Sequence, residues 1–198
     1  MIPRHLTIGV CVMLVVAVAM GLYLWHMSSA APAEGPVADT RPVAAPVSGN
    51  SEHVTLCVAY DDSGVLLSQG ADVPLPEGRQ QRAEELLRAL LRLYLDKASP
   101  HPLSAGSEVR SVYLVDPGLA VIDLNSAFAD GHRSGVLVEE LTVASLVETL
   151  ALNNPDINRV KILVDGKERE TLAGHADLSN FYDVAAVNQM VEQLQPAQ

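Results

Sequence analysis

The chain has 198 residues, 48% of them hydrophobic by type, and a formal charge of −11 at pH 7. That length fits one globular domain with appended segments, and so acidic a balance excludes the basic clusters that neutralise nucleic-acid phosphates. The two cysteines, Cys11 and Cys57, supply neither a disulfide framework nor zinc-ligand spacing, so the fold must rest on an apolar core.

Leu6 to Trp25 is a run of 20 residues without a charge. As a helix it spans about 30 Å, the hydrocarbon thickness of a bilayer. The apolar stretch of a signal peptide is usually about 7–15 residues, so length favours an uncleaved anchor within residues 1–27. The small residues Ser28-Ser29-Ala30 keep cleavage open. Cys11 lies inside the apolar run, where a thiol behaves as a small apolar side chain. Arg4 and His5 precede the run, and the next basic residue is Arg41. Positive flanks stay cytoplasmic. This predicts a single-pass protein of the inner (cytoplasmic) membrane, N-terminus inside and the rest extracytoplasmic. All 24 Asp and Glu follow the run, against 12 of the 13 Lys and Arg. Such a domain resists adhesion to anionic lipid.

Residues 28–52, rich in Ala, Pro, Ser and Gly, read as a linker that holds a domain roughly 25–30 Å from the membrane. The domain is placed at residues 53–198. Val54–Tyr60 is a β-rich run, Asp61-Asp62-Ser63-Gly64 a turn, and Val65-Leu66-Leu67 a returning strand. From Arg79 to Lys97, Ala83, Leu86, Leu87, Leu90 and Tyr94 recur at helical spacing. Pro100 and Pro102 forbid continuation. Val109–Val115 and Leu119–Leu124 form an antiparallel hairpin around Asp116-Pro117-Gly118, whose Pro-Gly order suits a type II turn. A second helix over Val136–Leu152 carries a stripe of Val143, Leu146, Val147 and Leu150. In Arg159–Val164 the residues alternate: Val160, Ile162 and Val164 share an inner face, and Arg159, Lys161 and Leu163 an outer, solvated one. Asp165-Gly166 predicts a tight hairpin into an edge around Glu168–Leu172. Val184, Val187, Val191 and Leu194 predict a short C-terminal helix. The fold class is therefore α/β of the α+β kind. It consists of an N-terminal transmembrane helix plus one mixed, largely antiparallel sheet packed with two or three helices.

Four stretches carry a family resemblance: VTLCVAYDDSGVLL, the helix RAEELLRALL, SVYLVDPGLAVIDLNSAF, and ELTVASLVETL with VKILVDGK. From Val54 to about Asp177 the chain resembles the GerMN domain of sporulation and spore-germination proteins. The resemblance implies a membrane-attached extracytoplasmic domain of the bacterial envelope with no established catalysis. Some members act in spore envelope complexes, and the fold is similar to modules that build rings in secretion systems. It transfers no functional residue, and it leaves a sporulation role open.

Asp123, Asn125 and Asp165 lie at strand ends and turns. An acid–base or metal pair is one reading, and bonding to local backbone is the simpler one. His101, His132 and His175 lie in three loops and lack close metal-ligand spacing. Ser126, Ser134 and Ser145 lack a nucleophile elbow, and Ser134 reads as the cap of the second helix. Gly131–Gly135 lacks the Gly-Lys-Ser/Thr ending of a phosphate loop. Glu139, Glu140 and Glu148 on the second helix could mark a partner surface, and a solvated helix face is the usual reading of such charges. Arg82, Arg88 and Arg92 are the only candidate binding residues, toward wall polymers. The expectation is a non-catalytic envelope interaction or assembly module without cofactor or metal, whose partners are the membrane and envelope proteins or a second copy. Peptidoglycan binding is the alternative, and a hydrolase using Asp123 with a loop histidine stands behind it.

Overall fold

The structure, a computed structural model, describes residues 13–14, 16–20 and 51–194. Residues 1–45 and 46–198 form separate compact units. The expected span Leu6–Trp25 and the linker 28–52 lie largely outside the described residues. Within the span, residues 13–14 and 16–20 are helical. Among the described residues no helix is long and apolar enough to cross a membrane.

The folded unit opens with a hairpin, β1 (Ser51–Tyr60) and β2 (Val65–Pro74), followed by helix α1 (Arg79–Tyr94). Strands β3 (Val109–Val115) and β4 (Leu119–Leu124) lead to a short helix α2 (Ser126–Asp130). The long helix α3 (Val136–Asn153), β5 (Arg159–Val164), β6 (Tyr182–Asp183) and α4 (Val184–Leu194) complete it. All five residues predicted for the inner face of α1 are buried. Each leucine among them contributes about 1.5–3 kcal/mol by leaving water.

The single sheet expected from the sequence is two sheets. β1 pairs only with β2, while β3-β4-β5-β6 form a four-stranded sheet in that order. The physical reason lies on the free edge of β1. Thr55 N–H donates to Asn153 Oδ1 at 3.2 Å, Cys57 N–H to Thr149 Oγ1 at 2.9 Å, and Ala59 N–H to the Tyr94 hydroxyl at 2.9 Å. Alternate residues are those whose N–H groups point off an edge strand. Side chains of α1 and α3 thus stand where a neighbouring strand would. A buried N–H without an acceptor costs about 1–3 kcal/mol, so the three contacts fix how the hairpin sits.

In the larger sheet β3 and β4 are antiparallel, β4 and β5 parallel, and β5 and β6 antiparallel. The parallel pair needs a crossover, which α3 supplies. Ala120↔Val160, Ile122↔Ile162 and Leu124↔Val164 are opposed across it and buried. Gly118 has the positive φ expected of it, +74°, and the Asp116–Pro117 peptide is cis.

Two further expectations change around β5. Asp165 and Gly166 both have positive φ, 51° and 71°, and Val164 and Lys167 bridge across them. No strand follows at Glu168–Leu172. β5 instead takes Tyr182–Asp183 as its neighbour, with Arg159 opposite Asp183 and Val160 opposite Tyr182. Lys161, expected on the solvated face, is buried. The intervening loop covers that face, and the Lys161 ammonium donates to the carbonyls of Leu178 and Ser179 at 3.0 and 2.6 Å. Those charge-assisted bonds offset the loss of water around the ammonium.

Candidate functional site

The strand-end carboxylates come together around a guanidinium. Arg110, from β3, lies 3.4 Å from Asp123 Oδ2 and 2.5 Å from Asp165 Oδ1. Asp123 Oδ1 accepts the Gly166 N–H at 2.7 Å. Burial raises the Asp165 carboxyl, but its bonds to Arg110 and Ser126 bring it below the usual range. Asn125 accepts the Phe128 and Glu108 N–H groups at 2.9 and 3.1 Å and donates to Gly106 O. It thereby caps α2 and delivers Phe128 to the core. These residues tie β3, β4 and the turn after β5 into one corner. None of the three candidate histidines is among their recorded hydrogen-bond or ion-pair partners.

Two of the three histidines meet elsewhere. His101 and His132 both reach the hydroxyl of Thr142 through Nε2, each at 2.7 Å, with ring centroids 6.1 Å apart. His101 Nδ1 lies 2.6 Å from Asp61 Oδ1, and His132 Nδ1 2.7 Å from the Arg133 carbonyl. The second Asp61 oxygen pairs with Arg133. Burial pushes the His101 imidazole down to about 4 and lowers His132 as well. Burial thus favours the neutral form of both rings, and each Nδ1 faces an oxygen that accepts a hydrogen bond. Thr142 Oγ1 also donates to the Val138 carbonyl at 2.9 Å, so three acceptors or ring nitrogens compete around its single proton. Among the described residues no group of three His, Cys, Asp or Glu is arranged to hold a metal ion.

His175 joins a different centre, at Glu139. Expected on a solvated face, Glu139 is fully buried and Glu148 nearly so, because hairpin, α1, α4 and the 173–176 loop enclose α3. Glu139 Oε2 accepts the N–H groups of Ala173, His175 and Ala176 at 2.9, 2.9 and 3.0 Å. Its Oε1 accepts the Gly135 N–H at 3.1 Å and meets His175 Nδ1 at 2.9 Å. Burial alone would raise this carboxyl, but the bonds outweigh it and bring it to about 2. The start of α3 is thus closed from within by Glu139. Ser134 is not its cap: Gly135 holds that position and Ser134 Oγ lies 3.3 Å from His175 Nδ1. Glu148 Oε1 has no hydrogen-bond partner among the described residues, and burial raises its carboxyl.

The remaining candidates are engaged. Ser145 Oγ donates to the Thr142 carbonyl at 2.9 Å. Burial pushes the Cys57 thiol up to about 11, far from the thiolate that reacts. Arg82 makes a two-point bond to Glu52 at 2.7 and 2.6 Å, Arg88 lies 2.8 Å from Glu85 and 3.3 Å from Glu84, and Arg92 lies 3.9 Å from Glu85. The three arginines proposed for wall binding each face a carboxylate of this chain.

One open concavity stands out. It occupies about 490 Å³ and is walled by α3, α4 and the loop from His175 to Asp183. Val143, Val187 and Met190 give it an apolar floor, and Glu140, Asp177 and Asp183 bring carboxylates to it. Phe181 is 54% exposed there, with Arg159 and Lys161 each 5.6 Å from its ring centroid. No local sequence motif marks this groove, because its walls are brought together by the fold. A signal for the crowded surroundings of α3 was present in the sequence. Thr142, Ser145, Thr149 and Asn153 recur every three or four residues in a helix whose other residues are apolar except Glu139, Glu140 and Glu148, marking a second contact face.

Three solved structures are similar to this chain. The tandem GerMN domains of the sporulation protein GerM from Bacillus subtilis match at a TM-score of 0.50 with 20% identity, over 68% of this chain and 46% of that one. The chain therefore spans about half the length of that tandem. The first GerMN domain of the same protein matches at 0.47 with 21% identity, over 65% and 93%. A candidate lipoprotein from Clostridium perfringens matches at 0.47 with 20% identity, over 75% and 97%. No curated protein matches. The sporulation and spore germination family, Germane, matches residues 57–170, from inside β1 to past the Asp165-Gly166 turn. With more than half its length covered and the fold in agreement, the chain belongs to the Germane (GerMN) family.

Proposed function

We propose that the chain is a membrane-anchored, extracytoplasmic, non-catalytic module of the bacterial cell envelope that binds envelope proteins or a second copy of itself. The observation that carries this reading is how its chemistry-bearing groups are used. Asp123, Asp165, His101, His132 and Glu139 direct their bonds to a guanidinium, a hydroxyl, a carboxylate (Asp61), an imidazole (His175) or backbone groups of the same fold. What remains on the outside is surface: the groove beside α4 and the exposed apolar side chains Leu67, Tyr113, Val115 and Phe181. The membrane anchor rests on the uncharged run Leu6–Trp25. It is further supported by the outward apolar side chains of Met13, Leu14, Val16, Val18 and Met20, which suit a hydrocarbon environment.

Chemical crosslinking of intact membranes carrying the full chain tests the reading. The expected result is a discrete adduct, either of two copies or of this chain with another envelope protein. Uncrosslinked chain alone, with every reagent length, would remove the proposal.

A further inference from the structure

We propose that the groove between α3, α4 and the 175–183 loop is a docking site for a partner segment that alternates basic and apolar side chains. The inference rests on the interaction-module reading and specifies its partner. All lining residues except Glu140 and Val143 lie beyond residue 170, where the family match ends. The site is therefore built mostly by residues beyond the stretch that the family model matches.

Its chemistry selects the occupant. Val143 and Val187 offer an apolar floor for a branched side chain, and Phe181 adds an exposed ring at the rim. No lysine or arginine lines the groove among the described residues, whereas Glu140, Asp177 and Asp183 do. The Tyr182 hydroxyl reports the resulting field. Burial raises it first, then the carboxylates of Asp177, Glu140 and Glu139, to about 12. Asp177 is already bonded to Ser179 and Asn180, and Asp183 accepts the Ala186 N–H at the start of α4. Glu140 makes no ion pair among the described residues and lies half-exposed over the apolar floor. A cationic side chain reaches Glu140 and Asp183 while its apolar neighbour enters between α3 and α4. A second copy of this acidic chain, at −11 overall, brings charge of the wrong sign, since like charges oppose association.

The test titrates a fluorescein-labelled decapeptide of alternating Lys and Leu with the full chain in non-ionic detergent at physiological salt, against detergent alone. A matched Glu–Leu decapeptide is the charge control. Saturable binding of the Lys–Leu peptide only is expected. The pair Glu140→Gln with Asp183→Asn should weaken it at least tenfold, and Asn at 183 keeps the helix cap. The pair Asp62→Asn with Glu77→Gln removes the same charge elsewhere and should leave it unchanged. Equal weakening by both pairs, or equal binding of the Glu–Leu peptide, would overturn the proposal, as would no Lys–Leu binding. Unaltered thermal unfolding of the variants confirms that the groove, and not the fold, is being read. Loss of the groove with envelope crosslinks intact removes this inference alone. Loss of the crosslinks removes the broader reading.

Discussion

Glu139→Ala is expected to lower the stability of the domain by about 3–5 kcal/mol, the cost of breaking a buried charge out of its bonds. The wild-type carboxylate is fully buried and accepts four backbone N–H groups, one from the start of its own helix and three from the 173–176 loop. Alanine leaves those donors and the His175 imidazole without an acceptor. The same bonds set a pH dependence. Burial acts to raise the carboxyl, and the bonds overcome it to hold it near 2, against 4.5 for the free side chain. A depressed carboxyl stabilises the fold fully above its unfolded value, and that contribution is lost as pH falls from about 4.5 toward 2. The shift corresponds to something on the order of 3 kcal/mol. Urea unfolding at pH 7 and pH 3 measures both effects. Glu139→Gln should be destabilised at pH 7 and should lack this part of the acid sensitivity. If Glu139→Ala stays within about 1 kcal/mol of wild type, the loop is not held as described.

Acidification should begin to weaken the protein at higher pH, through His101. Burial holds its imidazole at about 4 against 6.5 when free. The unfolded chain then binds more protons between those values. Stability is fully present above about 6.5 and declines as pH falls toward 4, by up to about 3 kcal/mol. His132, lowered chiefly by burial, adds a decline of the same sign. Asp61 favours the His101 cation, but its other oxygen is paired with Arg133, which moderates that pull. Denaturant midpoints between pH 7.5 and 4.5 are expected to fall steadily. His101→Gln should start less stable and show a shallower decline. A flat wild-type profile over that range would contradict the neutral, buried pair.

Most of the fold was legible because it is written in periodicity. Ala83 to Tyr94 on α1, Val143 to Leu150 on α3 and Val160-Ile162-Val164 on β5 all bury the faces their spacing predicts. The division into two sheets was not legible, since it depends on Tyr94, Thr149 and Asn153 reaching across to β1 from residues 35 to 98 positions away. The burial of Glu139 and Lys161 was hidden for a related reason. Each charge is stabilised by backbone groups of the same distant loop, and a single sequence does not show where a loop will fold back. Asn125 as a backbone-bonding residue was readable from turn chemistry. The groove was not, because Glu140 and Asp183 share no local pattern.

Position-specific photocrosslinking of the full chain in intact membranes most directly tests whether this domain works through its surface. The photoreactive residue replaces Phe181 in the groove, Tyr113 on β3 or Leu67 on β2, all exposed. The predicted result is a discrete adduct from Phe181 whose partner peptide is rich in basic residues, with weaker or no adducts from the other two. Folded, membrane-associated protein that yields no adduct from any of the three positions would contradict a role in binding envelope partners.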